Sequence, residues 1–225
     1  CGASAFALSA TTVFAQSYPT KPIRMIVAYP PGGGTDIVGR MIAQKLSENF
    51  GQTVVIDNRG GAAGSIGSEI AAHAVPDGYT ILMGNVAPNA INVSLYARLG
   101  YDPVADFEPV SLVASTPNLL VVHPSLAVKT VADLVALARA KPATLNYPSA
   151  GLGSSSHLAG ELFDSLAAVK MVHVPYKGGG LALTDLLGGQ VQLMFATMPA
   201  AMPHVRSGKV RAIAVTSARR SQAMP

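Results

Sequence analysis

The chain has 225 residues, 49% of them hydrophobic and only 12% charged, a balance that excludes a disordered polymer and suffices for two modest packed domains or one large one. The formal net charge is a mild +4, the 16 Lys and Arg are scattered with no run beyond Arg219-Arg220, and aromatics are 6%, so the basic stripe of a nucleic-acid binder is missing. A weak positive bias suits a small anionic ligand better.

Residues 3–15 form an uncharged run of apolar and small residues ending Val13-Phe14-Ala15 before Gln16, the pattern of a secretory h-region and cleavage site. Residues 1–15 therefore read as a signal-peptide remnant, with the mature chain starting at Gln16. Cys1 as a lipid-bearing N-terminus is the weaker reading, because no polar tether follows it. With Cys1 removed, no cysteine remains for a disulfide, a thiolate nucleophile or a Cys-based metal site. No other apolar run is long enough to span a bilayer, so direct membrane insertion is not expected.

Beyond the leader, strand and helix patterns alternate. Residues 23–29 read as an apolar strand, followed by Ile37, Val38, Met41, Ile42 and Leu46 at helical spacing; a strand at 53–57, a helix at about 65–74, and a strand at 79–83 follow. Three such units in series predict a parallel sheet with helices on its faces. Residues 85–106, with Pro88, Gly100 and Pro103, read as an irregular crossover.

A second set of units begins near Pro109: a strand at 118–123, a helix through Ala140 opened by a Thr130-x-x-Asp133 capping box, strands at 145–147 and 172–174, helices around 158–166 and through Leu187, and strands at 191–195 and 210–215. This predicts an α/β protein of two lobes, one at 16–105 and the other at 106–225. The chain stops in polar sequence just after a strand, and three strands are few for an open sheet, so the first lobe is expected to be incomplete, its missing part lying beyond Pro225.

Four glycine-rich stretches stand between an apolar run and a helix: Pro30-Pro31-Gly32-Gly33-Gly34-Thr35-Asp36, Gly60-Gly61-Ala62-Ala63-Gly64-Ser65, Gly151-Leu152-Gly153-Ser154-Ser155-Ser156 and Gly178-Gly179-Gly180. Glycine lets backbone approach a ligand closely, and the first amides of a helix lack internal partners and carry its positive dipole end. All four loops fall at the carboxyl ends of strands, where open α/β sheets bind ligands.

Catalytic and phosphate motifs fail on spacing. No Gly-Lys-Ser/Thr follows residues 30–36, the glycines at 60, 61, 64 and 67 do not fit Gly-x-Gly-x-x-Gly, and Gly153-Ser154-Ser155-Ser156-His157 ends in His where a nucleophile elbow needs Gly. Ser155 and His157 would diverge on a helix start, and the five histidines lack metal-site spacing. No catalytic residue, metal or cofactor is expected. Each candidate also has a purely structural reading: Asp36, Ser155 and Ser156 as helix caps, Gly178 to Gly180 as a turn, Lys177 as a solvated cation. At this level three functions stay open: a solute receptor, an α/β enzyme acting on a small anionic or phosphorylated substrate, and an effector domain, the last lacking its DNA-binding helix pair.

Six ordered motifs resemble one family: Pro30-Pro31-Gly32-Gly33-x-Thr35-Asp36, Asn58-Arg59-x-Gly61-Ala62-x-Gly64-x-x-Gly67, Pro76-Asp77-Gly78-Tyr79-Thr80, Tyr101-Asp102-Pro103-x-x-Asp106-Phe107, Gly153-Ser154-x-x-His157-Leu158-Ala159-Gly160-Glu161 and Val174-Pro175-Tyr176-Lys177-Gly178. From Ser17 onward the chain resembles the Bug family, the periplasmic substrate-binding proteins of tripartite tricarboxylate transporters. The resemblance implies a type II periplasmic-binding-protein fold, two α/β lobes hinged around a cleft, and a small carboxylate ligand delivered to membrane transporter subunits. It implies ligand contacts at Gly33, Gly34, Thr35, Asp36, Gly64 and Ser65 from the first lobe, and at Ser154, Ser155, Ser156 and Thr197 from the second. Two positions depart from the family pattern: Gly60 replaces a usual proline, and Ala196 stands where an acidic residue is common.

Overall fold

A computed structural model of the chain describes residues 17–224, so the signal remnant expected at 1–15 lies outside the described residues. Strand β1 (Ile23–Val27) is buried almost throughout and forms the middle of a parallel sheet, with β2 (Val54–Asn58) on one side and β3 (Thr80–Met83) on the other. Helix α1 (Gly34–Phe50) joins β1 to β2, and α2 (Ser65–Ala72) joins β2 to β3. The alternate residues Ile23, Met25 and Val27 pack with Ala43 of α1 and Val54 of β2 into one core, as period-two side-chain alternation requires. The parallel sheet expected from three βα units is present.

Residues 85–106 are more regular than their sequence indicates. A π turn at Ala87–Ile91 runs into the short helix α3 (Asn92–Leu95). Pro88 stands in the first turn, where its missing N–H removes no helical bond. Residues 107–117 then cross to the second lobe without regular structure, leaving Val110 and Leu112 exposed.

The second lobe is built on β4 (Asn118–Val122), buried at every residue. Its unbroken apolar run reflects burial on both faces. Leu119 and Val121 enter a core with α6 (Gly179–Leu187) and α7 (Met198–Arg206), whereas Leu120 and Val122 enter another with α4 (Val131–Ala140) and Tyr147 of β5 (Asn146–Ser149). At about 1.5–3 kcal/mol per fully buried aliphatic side chain, this strand is the lobe's main anchor. It pairs antiparallel with both β7 (Leu193–Thr197) and β8 (Arg211–Val215). Strand β5 pairs parallel with β6 (Val172–Pro175), and α5 (Ser155–Ala167) connects them.

The capping box on α4 is complete: Thr130 Oγ1 accepts the Asp133 N–H at 3.1 Å, and Asp133 Oδ2 accepts the Thr130 N–H at 2.9 Å. The strand expected at 191–195 instead starts two residues later, because Gln192 ties the two parts of the lobe together. Its Oε1 accepts the Asn146 N–H at 2.8 Å while its own N–H reaches Asn146 O at 3.2 Å.

Candidate functional site

Strand order decides where a ligand can sit. In the order β2-β1-β3 the chain leaves β1 toward β2 on one side and crosses to β3 on the other, so the carboxyl ends of β1 and β3 bound a crevice at the switch point. Gly33, Gly34 and Thr35 after β1, and Asn85 after β3, line a cavity with Tyr29. The second lobe supplies the facing wall: Ala150, Ser154, Ser155 and Ser156 around the start of α5, Gly179 of α6, and Met194 and Thr197 of β7.

Four helices begin at this cavity. Helix α1 starts behind its N-cap Gly33, α5 behind Ser154, α6 behind Gly178 and α7 behind Thr197. Their first-turn amides have no intrahelical acceptors and carry the positive ends of the helix dipoles. Among the described residues, no charged side chain lines the cavity. Each N-terminus favours an anion by about 0.3–2 kcal/mol, more as burial increases, so their convergence makes an anion site out of backbone alone.

The two walls approach closely. A β-carbon built on Gly34 would lie 2.5 Å from Thr197 Oγ1 across the cleft, and one on Gly180 would lie 2.6 Å from Pro31 O. Gly34 is thus required by the space available and not by its backbone angles. The cavity left between the walls measures about 30 Å³, room for little more than a water or two. Among the described residues no hydrogen bond of these loops crosses between the walls; the polar bonds of each loop close within its own lobe.

Each wall has its own support. Asp36, almost fully buried, takes the Gly32 N–H at 3.0 Å, Asn58 Nδ2 at 2.8 Å and Arg40 Nε at 3.1 Å. Burial alone would raise its carboxyl, but hydrogen bonds from Arg40, Gly32 and Asn58, with the Arg40 charge, outweigh this and hold it below the usual carboxylate range. Asn85 donates to Thr35 Oγ1 at 3.1 Å. On the other wall Ser154 Oγ accepts the His157 N–H at 3.3 Å and meets Ser156 Oγ at 3.0 Å. His157 Nδ1 accepts the Gly153 N–H at 3.1 Å.

Of the residues expected to contact ligand, Gly33, Gly34, Thr35, Ser154, Ser155, Ser156 and Thr197 meet in the cavity, whereas Asp36, Gly64 and Ser65 are not among its lining residues. Asp36 is turned toward Gly32, Asn58 and Arg40. It also does not cap α1, being the third residue of the helix, and the cap of α5 is Ser154 in place of Ser155 or Ser156. The loop carrying Gly64 and Ser65 follows β2, one strand away from the switch point. It braces the site instead: Ala63 O accepts the Tyr29 hydroxyl at 3.0 Å, and Ser65 Oγ accepts from Asn92 Nδ2 at 2.8 Å. Gly179, from the fourth glycine stretch, joins the lining as that stretch suggests, and Tyr29, Asn85, Ala150 and Met194 join it without having been singled out by sequence. For Asn85 a signal existed, since it stands just past the carboxyl end of a strand.

Hydrolytic chemistry has no geometry here. Ser149 Oγ lies 2.6 Å from His173 Nε2, yet Ser149 is fully buried and does not line the cavity. Among the described residues no group of three or more His, Asp or Glu side chains could hold a metal.

Two α/β lobes closed over an anion-favouring cleft define a solute-binding receptor of the periplasmic type. The chain belongs to the tripartite tricarboxylate transporter receptor family, whose model matches residues 38–225. It is 42% identical to protein BugT of Bordetella pertussis over 217 residues, 96% of this chain and 67% of BugT. Among solved structures it superposes on Rhodopseudomonas palustris Rpa4515 with adipate (TM-score 0.88, 43% identity, 90% of this chain and 68% of that one). It also superposes on the periplasmic binding protein BugD (0.85, 37%, 90% and 68%) and on R. palustris MatC with bound malate (0.84, 33%, 90% and 69%). The chain thus spans about two thirds of the length of these relatives. The family is one of receptors, not enzymes, which removes the catalytic reading.

Proposed function

We propose that this chain is an exported, periplasmic receptor that captures a small di- or tricarboxylate, or a related organic acid, and delivers it to a tripartite membrane transporter. In this reading residues 16–105 and 106–225 form the two lobes, with a hinge in the crossover. One carboxylate takes amides of Gly33, Gly34 and Thr35 on one side and of Ser155 and Ser156 on the other, with Thr197 at the junction and Asp36, Gly64 and Ser65 acting from behind. The convergence of four helix N-termini on a cavity without charged side chains carries the reading. The adipate and malate held by the related proteins support the same ligand class.

The small cavity sets the mode of capture. A dicarboxylate does not fit between walls this close, so the lobes part to admit it and close again around it, a hinge motion driven by tighter binding to the closed form. Calorimetric titration with adipate, malate and citrate, alongside inorganic phosphate and phosphate esters, tests the proposal. Binding of at least one carboxylate and none of the phosphates is expected; binding of phosphate esters alone, or of nothing, overturns it.

A further inference from the structure

The second-lobe wall rests on two stacked histidines. The rings of His157 on α5 and His173 on β6 lie 4.1 Å apart between centroids. Because His157 Nδ1 accepts the Gly153 N–H, its own proton sits on Nε2, which faces Glu161 Oε1 at 3.7 Å. His173 Nε2 meets Ser149 Oγ, and that hydroxyl accepts the Gly151 N–H at 3.1 Å. Both ends of the turn are therefore tied to an imidazole, one directly and one through Ser149. Gly151 and Gly153 adopt φ of 122° and 82°, a region costly for other residues, and Ser154, the cap of the ligand-facing helix α5, follows at once.

We infer that His157 is a positioning residue for the carboxylate site: it holds the turn at residues 151–153, and with it the amide end of α5, in binding geometry only while its Nδ1 is unprotonated. The inference rests on the carboxylate reading above. A second proton on this ring has only Nδ1 to occupy, which would set a donor against the Gly153 donor and break the tie.

The surrounding groups direct that proton. Burial, then the neighbouring His157, pushes the His173 imidazole down to about 4, so His173 stays neutral through mild acid and keeps its tie to Ser149. Tyr147 of β5 donates to Glu161, and Asp164 lies within electrostatic reach of both on α5. The Glu161 carboxylate, 3.7 Å from His157 Nε2, balances a charge on that ring locally, so the loss of geometry outweighs any added attraction for a bound anion. From the first lobe, the nearest groups to Gly153 are the uncharged Leu95, Asn92 and Ile91. Histidine is the side chain that changes charge near neutrality, so binding should weaken in mild acid.

The test follows the Gly153 amide resonance of the unliganded, isotope-labelled chain through a pH titration, together with the adipate affinity. From about pH 7.5 to about pH 5.5 the Gly153 resonance should move in step with the His157 ring signals. Over the same range adipate affinity should fall about three- to tenfold, the effect of one hydrogen bond. His157→Asn, whose side-chain oxygen can replace Nδ1 as acceptor without titrating, should hold the Gly153 resonance constant and leave only the smaller fall in affinity that protonation of adipate itself causes. His157→Phe keeps the ring and loses the acceptor, and should bind weakly at either pH. A Gly153 resonance indifferent to His157, or a His157→Asn protein that loses affinity in acid as the wild type does, overturns the inference. If adipate, malate and citrate all fail to bind at any pH, the carboxylate reading falls, while the Gly153 titration still decides whether His157 holds the turn.

Discussion

The two walls of the cleft present the same chemistry, backbone amides at helix starts, but are held by different means. The first-lobe loop is pinned by a buried charge, Asp36, bound to Arg40, Asn58 and the Gly32 amide. The second-lobe loop is pinned by neutral groups: the Ser154 cap, the His157 acceptor and the Ser149–His173 pair. An ionised carboxylate with several donors keeps its geometry throughout the neutral range, whereas a hydrogen bond accepted by imidazole lasts only while that nitrogen is bare. One wall is therefore a fixed support, and the other is open to adjustment by protons.

The largest expected effect lies where the walls meet. Gly34→Val drives a side chain into Thr197 and should weaken carboxylate binding about tenfold to a hundredfold by holding the lobes apart. Gly33→Ala, whose added carbon meets nothing nearer than Gly180 N at 3.7 Å, should change affinity by less than about threefold. Equal effects of the two, measured by calorimetry, would refute the close approach as the reason for Gly34.

Next is Asp36→Ala, which removes the charged support and should cost about 2 kcal/mol in denaturant unfolding, tempered because Arg40 is half exposed and rehydrates. The folded-state carboxyl lies below its unfolded value, so the stabilisation is complete above about pH 4 and lost as pH falls through the folded value. An Asp36→Ala protein as stable as the wild type at neutral pH would remove the charge from the account of this wall. Ser154→Ala takes the cap from α5 and should cost about 1 kcal/mol. It should also weaken binding, because the same helix start faces the ligand; a loss of stability with binding unchanged would separate the cap from the site.

The smallest effect near neutrality comes from His173. Its folded imidazole is held down to about 4, so the unfolded chain takes up a proton that the folded chain refuses. Stability should therefore decline as pH drops below about 6.5, and continue to decline toward about 4. His173→Gln, which places an amide near the Nε2 position, should flatten that part of the profile in thermal unfolding experiments.

Much of the fold was legible because local signals agree with tertiary needs. The apolar run at β4, the capping box at Thr130 and Asp133, and the glycine turns mark their elements without any alignment. The start of β7 was displaced because Gln192 serves a long-range bond to Asn146, which no local pattern reveals. Within the site, the loops after β1 and β5 were readable as helix starts, but the loop after β2 looks the same in sequence. Only the strand order β2-β1-β3 separates them, placing Asn85 in the cavity and Gly64 and Ser65 behind it. Asp36 is a related case: an acidic residue at a helix start carries no mark of whether it faces the ligand or the loop behind it.

The most direct test is a crystal structure of the chain with whichever of adipate, malate or citrate binds tightest. One carboxylate is expected at about 3 Å from backbone amides of both walls, at Gly34 or Thr35 and at Ser155 or Ser156. A ligand held by lysine or arginine side chains, or bound outside the cleft between the lobes, would contradict it.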